Sequence, residues 1–105
     1  MSLDDLDPLL TQPKRLAALG VLANSKNTEF AFLREVLGLS DSDLSKQMSA
    51  LTEAGYVTVK KTGRGRDRQT WFKITKDGRS AMQGHVDALN ALVAAAPTAP
   101  DMVDS

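Results

Sequence analysis

Residues 39–57, LSDSDLSKQMSALTEAGYV, decide how the rest of the chain is read. They form one amphipathic helix with both end signals present. Ser40 is placed to cap the N-terminus, and Asp43, three residues on, completes a capping-box pattern while its charge suits the positive end of the helix dipole. Gly55 supplies the stop, because glycine accepts the left-handed turn that ends a helix. Leu44, Met48 and Leu51 recur at the spacing of one helical face. Ser42, Lys46 and Ser49 fall on the opposite face, with Ser45 at its edge. That outer surface is short, hydroxylated and basic, so it can approach base edges and phosphates without steric conflict.

Upstream, a second helix over about residues 31–37 takes Phe32, Leu33, Val36 and Leu37 as its apolar positions and ends at Gly38. Only residues 38–40 separate the two, and two short helices joined by a tight glycine turn are the helix-turn-helix signature. Thr28 to Phe30 is either a very short strand or the entry to that second helix, behind a polar break at 24–27. An earlier helix opens at Pro13, with Thr11 as its possible cap. Leu16, Leu19, Val21, Leu22 and Ala23 give it a broad apolar face. Residues 1–10 are short and acidic and are expected to be flexible.

Downstream of Gly55 the period changes from helical to alternating. Val57 and Val59, then Thr70, Phe72 and Ile74, mark two strands. Between them lies the loop KTGRGRDR, 61–68, so the pair is a β-hairpin whose cationic tip Gly63 and Gly65 are expected to make mobile. Over residues 56–79, eight basic side chains stand against two carboxylates on a chain of zero net charge. Such a localised patch is a directed electrostatic footprint. Lys60, Lys61, Arg64, Arg66 and Arg68 are its candidate DNA contacts, beside Ser42, Ser45, Lys46 and Ser49 on the helix. Thr75 can cap a last helix over 75–96, where Met82, Val86, Leu89 and Val93 recur at spacings of four, three and four, a stripe suited to pairing two copies. Leu92 widens it. Residues 97–105 combine prolines, aspartates and small side chains and are expected to be a disordered tail.

Composition narrows the remaining options. The 105 residues suit one domain and 42% hydrophobic content suffices for a core. No apolar run is long enough to span a membrane, and the aspartate-bearing N-terminus lacks a signal pattern, so a cytoplasmic location is expected. Absence of cysteine removes disulfides, thiolate chemistry and thiolate metal sites. The single histidine, His85, precedes an apolar stripe position and reads as a packed imidazole rather than a ligand. Ser42, Ser45 and Ser49 have no base beside them, and Asp41 and Asp43 at a helix start are better explained by capping than by acid–base chemistry. No enzyme and no cofactor are expected. Trp71, on the strand face opposite Phe72 and Ile74, either stacks on the basic strand or packs under the last helix, ahead of any DNA contact.

The ordered set Phe30-Ala31-Phe32-Leu33-Arg34-Glu35, Leu44-Ser45-Lys46, Leu51-Thr52-Glu53-Ala54-Gly55-Tyr56-Val57, Gly63-Arg64, Trp71 and Ile74-Thr75-Lys76-Asp77-Gly78-Arg79 resembles the small single-domain winged-helix transcriptional regulators related to the MarR and ArsR families. It covers roughly residues 13–95. The resemblance implies an α+β, mostly α fold: a winged helix-turn-helix with a three-helix core, a two-stranded β-hairpin wing and a C-terminal dimerisation helix. The DNA-binding domain would run over 11–96. It also implies a homodimer on double-stranded DNA, with the helix over 41–54 in the major groove and the wing along the backbone or minor groove. Metal-sensing relatives need cysteine or clustered histidine and carboxylate ligands, which this chain does not offer. An effector, unidentified here, would have to bind between the first and last helices or across the dimer. The expected function is a sequence-specific regulator, a repressor. The alternative is a protein-association module whose basic hairpin holds an acidic partner, but a protein interface would prefer exposed aromatics to the small, lysine-bearing outer helix face.

Overall fold

Gly38 and Gly55 sit at φ 65° and 81°, in the left-handed region that side chains strain to enter, and each closes one helix of the central pair. The computed structural model describes residues 2–102, so Met1 and the last three residues of the expected tail, 103–105, lie outside the described residues. The pair is α2 (Phe30–Leu37) and α3 (Asp41–Glu53). After each, the chain turns back with paired bonds: Leu39 N donates to the Arg34 carbonyl at 3.1 Å and Tyr56 N to that of Leu51 at 3.0 Å. These bonds satisfy carbonyls that a helix end leaves free. Ser40 Oγ accepts from Asp43 N at 3.1 Å, as the sequence predicts.

Helix α1 (Pro13–Ala23) carries proline in its first turn and has no side-chain cap. Thr11 does not cap it; its hydroxyl donates to the Pro8 carbonyl at 2.8 Å instead. The two wing strands are β2 (Val57–Thr62) and β3 (Gln69–Ile74), and Thr28–Glu29 forms β1, which pairs with β3. The sheet is therefore three-stranded and antiparallel in the order β1-β3-β2, one strand more than the expected hairpin. Thr28 and Val59 both lie opposite Phe72; Thr28 and Phe72 are buried, while Val59, farther along the same face, is 45% exposed.

That core joins Leu19 and Leu22 of α1, Leu33 of α2, Leu44, Met48 and Leu51 of α3, and Val57, Phe72 and Ile74 of the sheet. Burying each leucine contributes about 1.5–3 kcal/mol. The N-terminal segment departs from the flexible state expected of it, because Leu10 is 1% exposed within the same core. Asp7 holds the segment down: its N–H donates to His85 Nδ1 at 3.0 Å and its carboxylate accepts from the Tyr56 hydroxyl at 2.6 Å. That carboxylate raises the Tyr56 pKa to about 12.

Phe32 and Val36 also depart from expectation, since only Leu33 of α2 is fully buried and those two are 54% and 53% exposed. Eight residues make about two turns, and a helix that short turns one narrow stripe toward the core.

Helix α4 (Lys76–Ala94) starts at Thr75, whose hydroxyl oxygen accepts from Gly78 N at 2.9 Å. Glycine at 78 is a packing requirement: a Cβ there would stand 2.2 Å from the Tyr56 carbonyl oxygen. Arg79 donates to the Ala23 carbonyl at the C-terminal end of α1, while His85 meets Asp7 ahead of its N-terminal end. The two helices therefore run antiparallel, and the last turns of α4 pass beyond the core. No helix among the described residues is long and apolar enough to cross a membrane.

Candidate nucleic-acid interface

The 3.6-residue period divides α3 cleanly. Leu44, Met48 and Leu51 are buried, while Ser42, Ser45, Lys46 and Ser49 are all exposed along its outer side. Gln47 is buried as well, which its polar side chain does not announce in the sequence. Its amide bridges Arg15 Nε (2.9 Å) and Asp43 Oδ1 (2.8 Å), tying α3 to α1.

The two carboxylates in the first turn of α3 are both engaged. Arg34 of α2 reaches Asp41 at 2.6 Å, and Lys14 of α1 reaches Asp43 at 2.6 Å. The Lys14 ammonium, aided by Gln47, holds the Asp43 carboxyl below its usual range, and Asp41 raises the Arg34 guanidinium. These surface pairs add little stability. Their consequence is electrostatic: the carboxylates that would repel a phosphate arrive with their own counter-charges.

At the wing, the tip is more ordered than its glycines suggest. Residues Gly65–Asp67 form a 3₁₀ turn, with Asp67 N donating to the Arg64 carbonyl at 3.0 Å. Gly63 serves a close approach rather than freedom, since at φ 78° a Cβ would lie 2.1 Å from the Asp67 carbonyl oxygen. Arg64, Arg66 and Arg68 are exposed, and among the described residues Asp67 makes no ion pair with them.

Strand alternation separates two lysines that the sequence reading grouped. Side chains at directly paired positions share a face. Lys61 pairs with Thr70, and both border a 470 Å³ groove between α3 and the sheet that Ser45, Ser49, Thr52 and Val59 also line. Lys60 pairs with Trp71 on the other face. The structure thus brings Ser45, Ser49 and Lys61 together and sends Lys60 away from them. Trp71 settles on the wing rather than under α4, donating from Nε1 to Thr62 Oγ1 at 3.1 Å. Lys73 and Arg79 leave the patch too, gathering with Lys26 beside the C-terminal end of α1, where helix carbonyls favour cations. The stripe Met82, Val86, Leu89, Val93 grades from half-buried to open, with Leu89 37% and Val93 82% exposed.

The local sequence does not mark Arg34 or Lys14, whose partners lie on another helix, and Gln47 is buried through Arg15 of α1 as well as Asp43 one turn before it. Among the described residues, no three His, Cys, Asp or Glu side chains gather as a metal site would require.

Comparison with known proteins adds the family context. Residues 14–93 match the family described as "Winged helix DNA-binding domain". An uncharacterized protein of Methanocaldococcus jannaschii is 33% identical over 72 residues, 69% of this chain and 78% of that one. A transcriptional regulator homologue from Pyrococcus horikoshii superposes with a TM-score of 0.76 at 23% identity, covering 83% of this chain and 86% of the other. The Mycobacterium tuberculosis regulator MOSR, solved in complex with DNA, gives a TM-score of 0.66 at 22% identity over 90% of this chain and 69% of its own. A MarR family member is among the other solved structures with this fold.

Proposed function

The chain belongs to the winged helix DNA-binding domain family, and from that premise we propose that it is a sequence-specific regulator of transcription, a repressor acting as a homodimer on double-stranded DNA. The observation that carries the reading is the outer face of α3. Three serines and Lys46 stand exposed on a helix whose two first-turn carboxylates, Asp41 and Asp43, are each held by a cation from a neighbouring helix. A face with small hydroxyls and one long cation fits a major groove, where lysine reads guanine and serine accepts either partner. The wing arginines supply phosphate affinity beside it. MOSR, of the same fold, is described as bound to DNA, which supports the reading.

Helix α4 supports the homodimer. Its last turns expose Leu89 and Val93 past the core, and a stripe at this spacing is suited to a second copy. No catalytic residue, metal or cofactor is assigned, and a cytoplasmic site of action accompanies the reading.

The test is an electrophoretic shift against genomic fragments with a salt titration, followed by selection of bound sequences from a random pool. The proposal predicts a recovered site with two half-sites about one helical turn, or a multiple of it, apart. Binding that ignores sequence at every salt concentration overturns it in favour of a basic module for acidic partners. Light scattering reads the dimer separately, and Leu89→Asp is expected to give monomers, because it sets a charge in an apolar contact.

A further inference from the structure

One flank of the molecule holds two adjoining recesses, one apolar and one basic, and the far end of the chain holds side chains of matching character. The outer side of α1, α2 and β3 encloses a 510 Å³ hollow walled by Val21, Phe32, Val36 and Trp71. Next to it lies a 430 Å³ recess bordered by Lys26, Lys73 and Arg79, and Asn24 and Ser25 line both. Among the described residues no carboxylate borders the basic recess; Glu29 stands at the apolar one. Single exposed apolar side chains are ordinary, but an aromatic-bearing hollow continuous with a cationic one is a surface awaiting a ligand that is apolar and acidic in turn.

The chain beyond His85 has that character. Leu89, Val93 and Met102 are exposed, at 37%, 82% and 86%, and Asp101 precedes Met102. Direction works against the simplest fit, docking of the copy's own arm. The two recesses sit at the C-terminal end of α1, which is the N-terminal end of α4, so a chain leaving Ala94 departs at the opposite end of its own domain. To return, residues 95–102 would need to retrace 15 residues of α4, about 22 Å, out of an extended reach of about 26 Å. A second copy removes the difficulty. When two α4 helices pair antiparallel about a two-fold axis, the C-terminal end of one lies beside the N-terminal end of the other, and so beside these recesses.

We infer that, in the homodimer, the C-terminal arm over residues 89–102 of each copy docks on this flank of the other. Leu89 and Val93 continue the α4 seam, Asp101 meets Lys26, Lys73 and Arg79, and Met102 enters the hollow between Phe32, Val36 and Trp71. The inference rests on the homodimer proposed above. Since Trp71 belongs to a wing strand, the docked arm would also brace the wing of the partner.

The absence of cysteine makes the test direct. In the full chain, Val36→Cys with Met102→Cys is compared with Glu53→Cys with Met102→Cys, whose first cysteine lies at the exposed end of α3. Oxidation in a glutathione buffer is followed on non-reducing gels and the disulfides are mapped by peptide mass spectrometry. The 36/102 pair is expected to form covalent dimers at least about tenfold faster than the 53/102 pair, because docking raises the local concentration of the two thiols. Adding Asp101→Lys is expected to slow it several-fold. Equal rates in a protein that light scattering shows to be dimeric overturn the docking and leave the homodimer standing. A fast 36–102 disulfide within one chain assigns the hollow to the copy's own arm and overturns the exchange. An unaltered rate with Asp101→Lys overturns the assignment of the basic recess. A protein that light scattering shows to be monomeric overturns both readings.

Discussion

Helix α3 and the wing border the same groove, yet their charges are in opposite condition. On α3 every carboxylate of the first turn is held at 2.6 Å by a cation from another helix, and the helix itself is anchored through Leu44, Met48, Leu51 and Gln47. On the wing, Arg64, Arg66 and Arg68 project from a short turn with no ion pair among the described residues. A surface whose side chains are pinned loses little entropy on binding and can discriminate between ligands by shape. Free cations on a turn supply attraction that depends on salt far more than on sequence. On this difference we propose that the helix supplies readout and the wing affinity.

The comparison breaks most completely if α3 loses its footing. Leu51 is fully buried under the helix, so Leu51→Ala should cost about 2–5 kcal/mol of stability, read from urea melts of the free protein. DNA binding should fall with the folded fraction. A variant that folds as stably as the parent would mean that α3 does not lean on this contact.

Next in size is the wing. Replacing Arg64, Arg66 and Arg68 together with alanine should flatten the slope of log K against log salt by about two to three units per wing in contact with phosphate. Site preference should survive, save in A·T-rich flanks if one arginine enters a narrow minor groove. An unchanged slope would mean that the wing points away from the DNA.

Lys46→Ala sharpens the contrast at the reading face. It should cost about 1–3 kcal/mol on the preferred site if Lys46 meets a guanine edge. An equal loss on every sequence would identify a phosphate contact instead. The smaller comparison within the wing is Lys61 against Lys60. Fluorescence anisotropy should show weaker binding for Lys61→Ala, which borders the α3 groove, and little change for Lys60→Ala on the opposite face.

The smallest effect concerns how α3 is tethered to the rest of the domain. The Tyr56 hydroxyl, just past Gly55, donates to Asp7, and its pKa is raised from 10.0 to about 12. The folded state therefore holds this proton more tightly than the unfolded one. The stabilisation is complete below pH 10 and is lost as pH rises from about 10 to about 12. Thermal melts across that window should show the parent losing stability, and Tyr56→Phe should remove the part of the slope that comes from this group. Parallel slopes would leave the hydroxyl without a role in folding.

Local order was largely legible in advance. Ser40, Gly38, Gly55 and Thr75 mark their helix ends because caps depend on residues within one turn of one another. The exposed row Ser42, Ser45, Lys46, Ser49 followed from the helical period alone. The surroundings of a residue are not legible in this way. Periodicity turns Phe32 and Val36 inward, but nothing in the local sequence says how wide a stripe the rest of the domain covers. The short, acidic stretch 1–10 reads as loose, while the contacts that hold Asp7, from Tyr56 and His85, lie 49 and 78 residues away from it.

The charge of the hairpin shows the same division. By itself the sequence determined the winged helix-turn-helix, the caps at Ser40 and Thr75, the exposed row along α3 and the basic content of residues 56–79, since all of these depend on period, turn chemistry or composition. Only the tertiary structure decided where that charge points. The two-residue alternation of β2, registered against β3, puts Lys61 over the groove and Lys60 behind it. The docking of α4 on α1 draws Arg79 to the Ala23 carbonyl. The packing of α1 and α2 around α3 brings Lys14 and Arg34 to the two aspartates. Each of these joins residues that are remote in the chain or turned to opposite faces, and such pairings are set by the geometry of the packed elements, which local sequence does not encode.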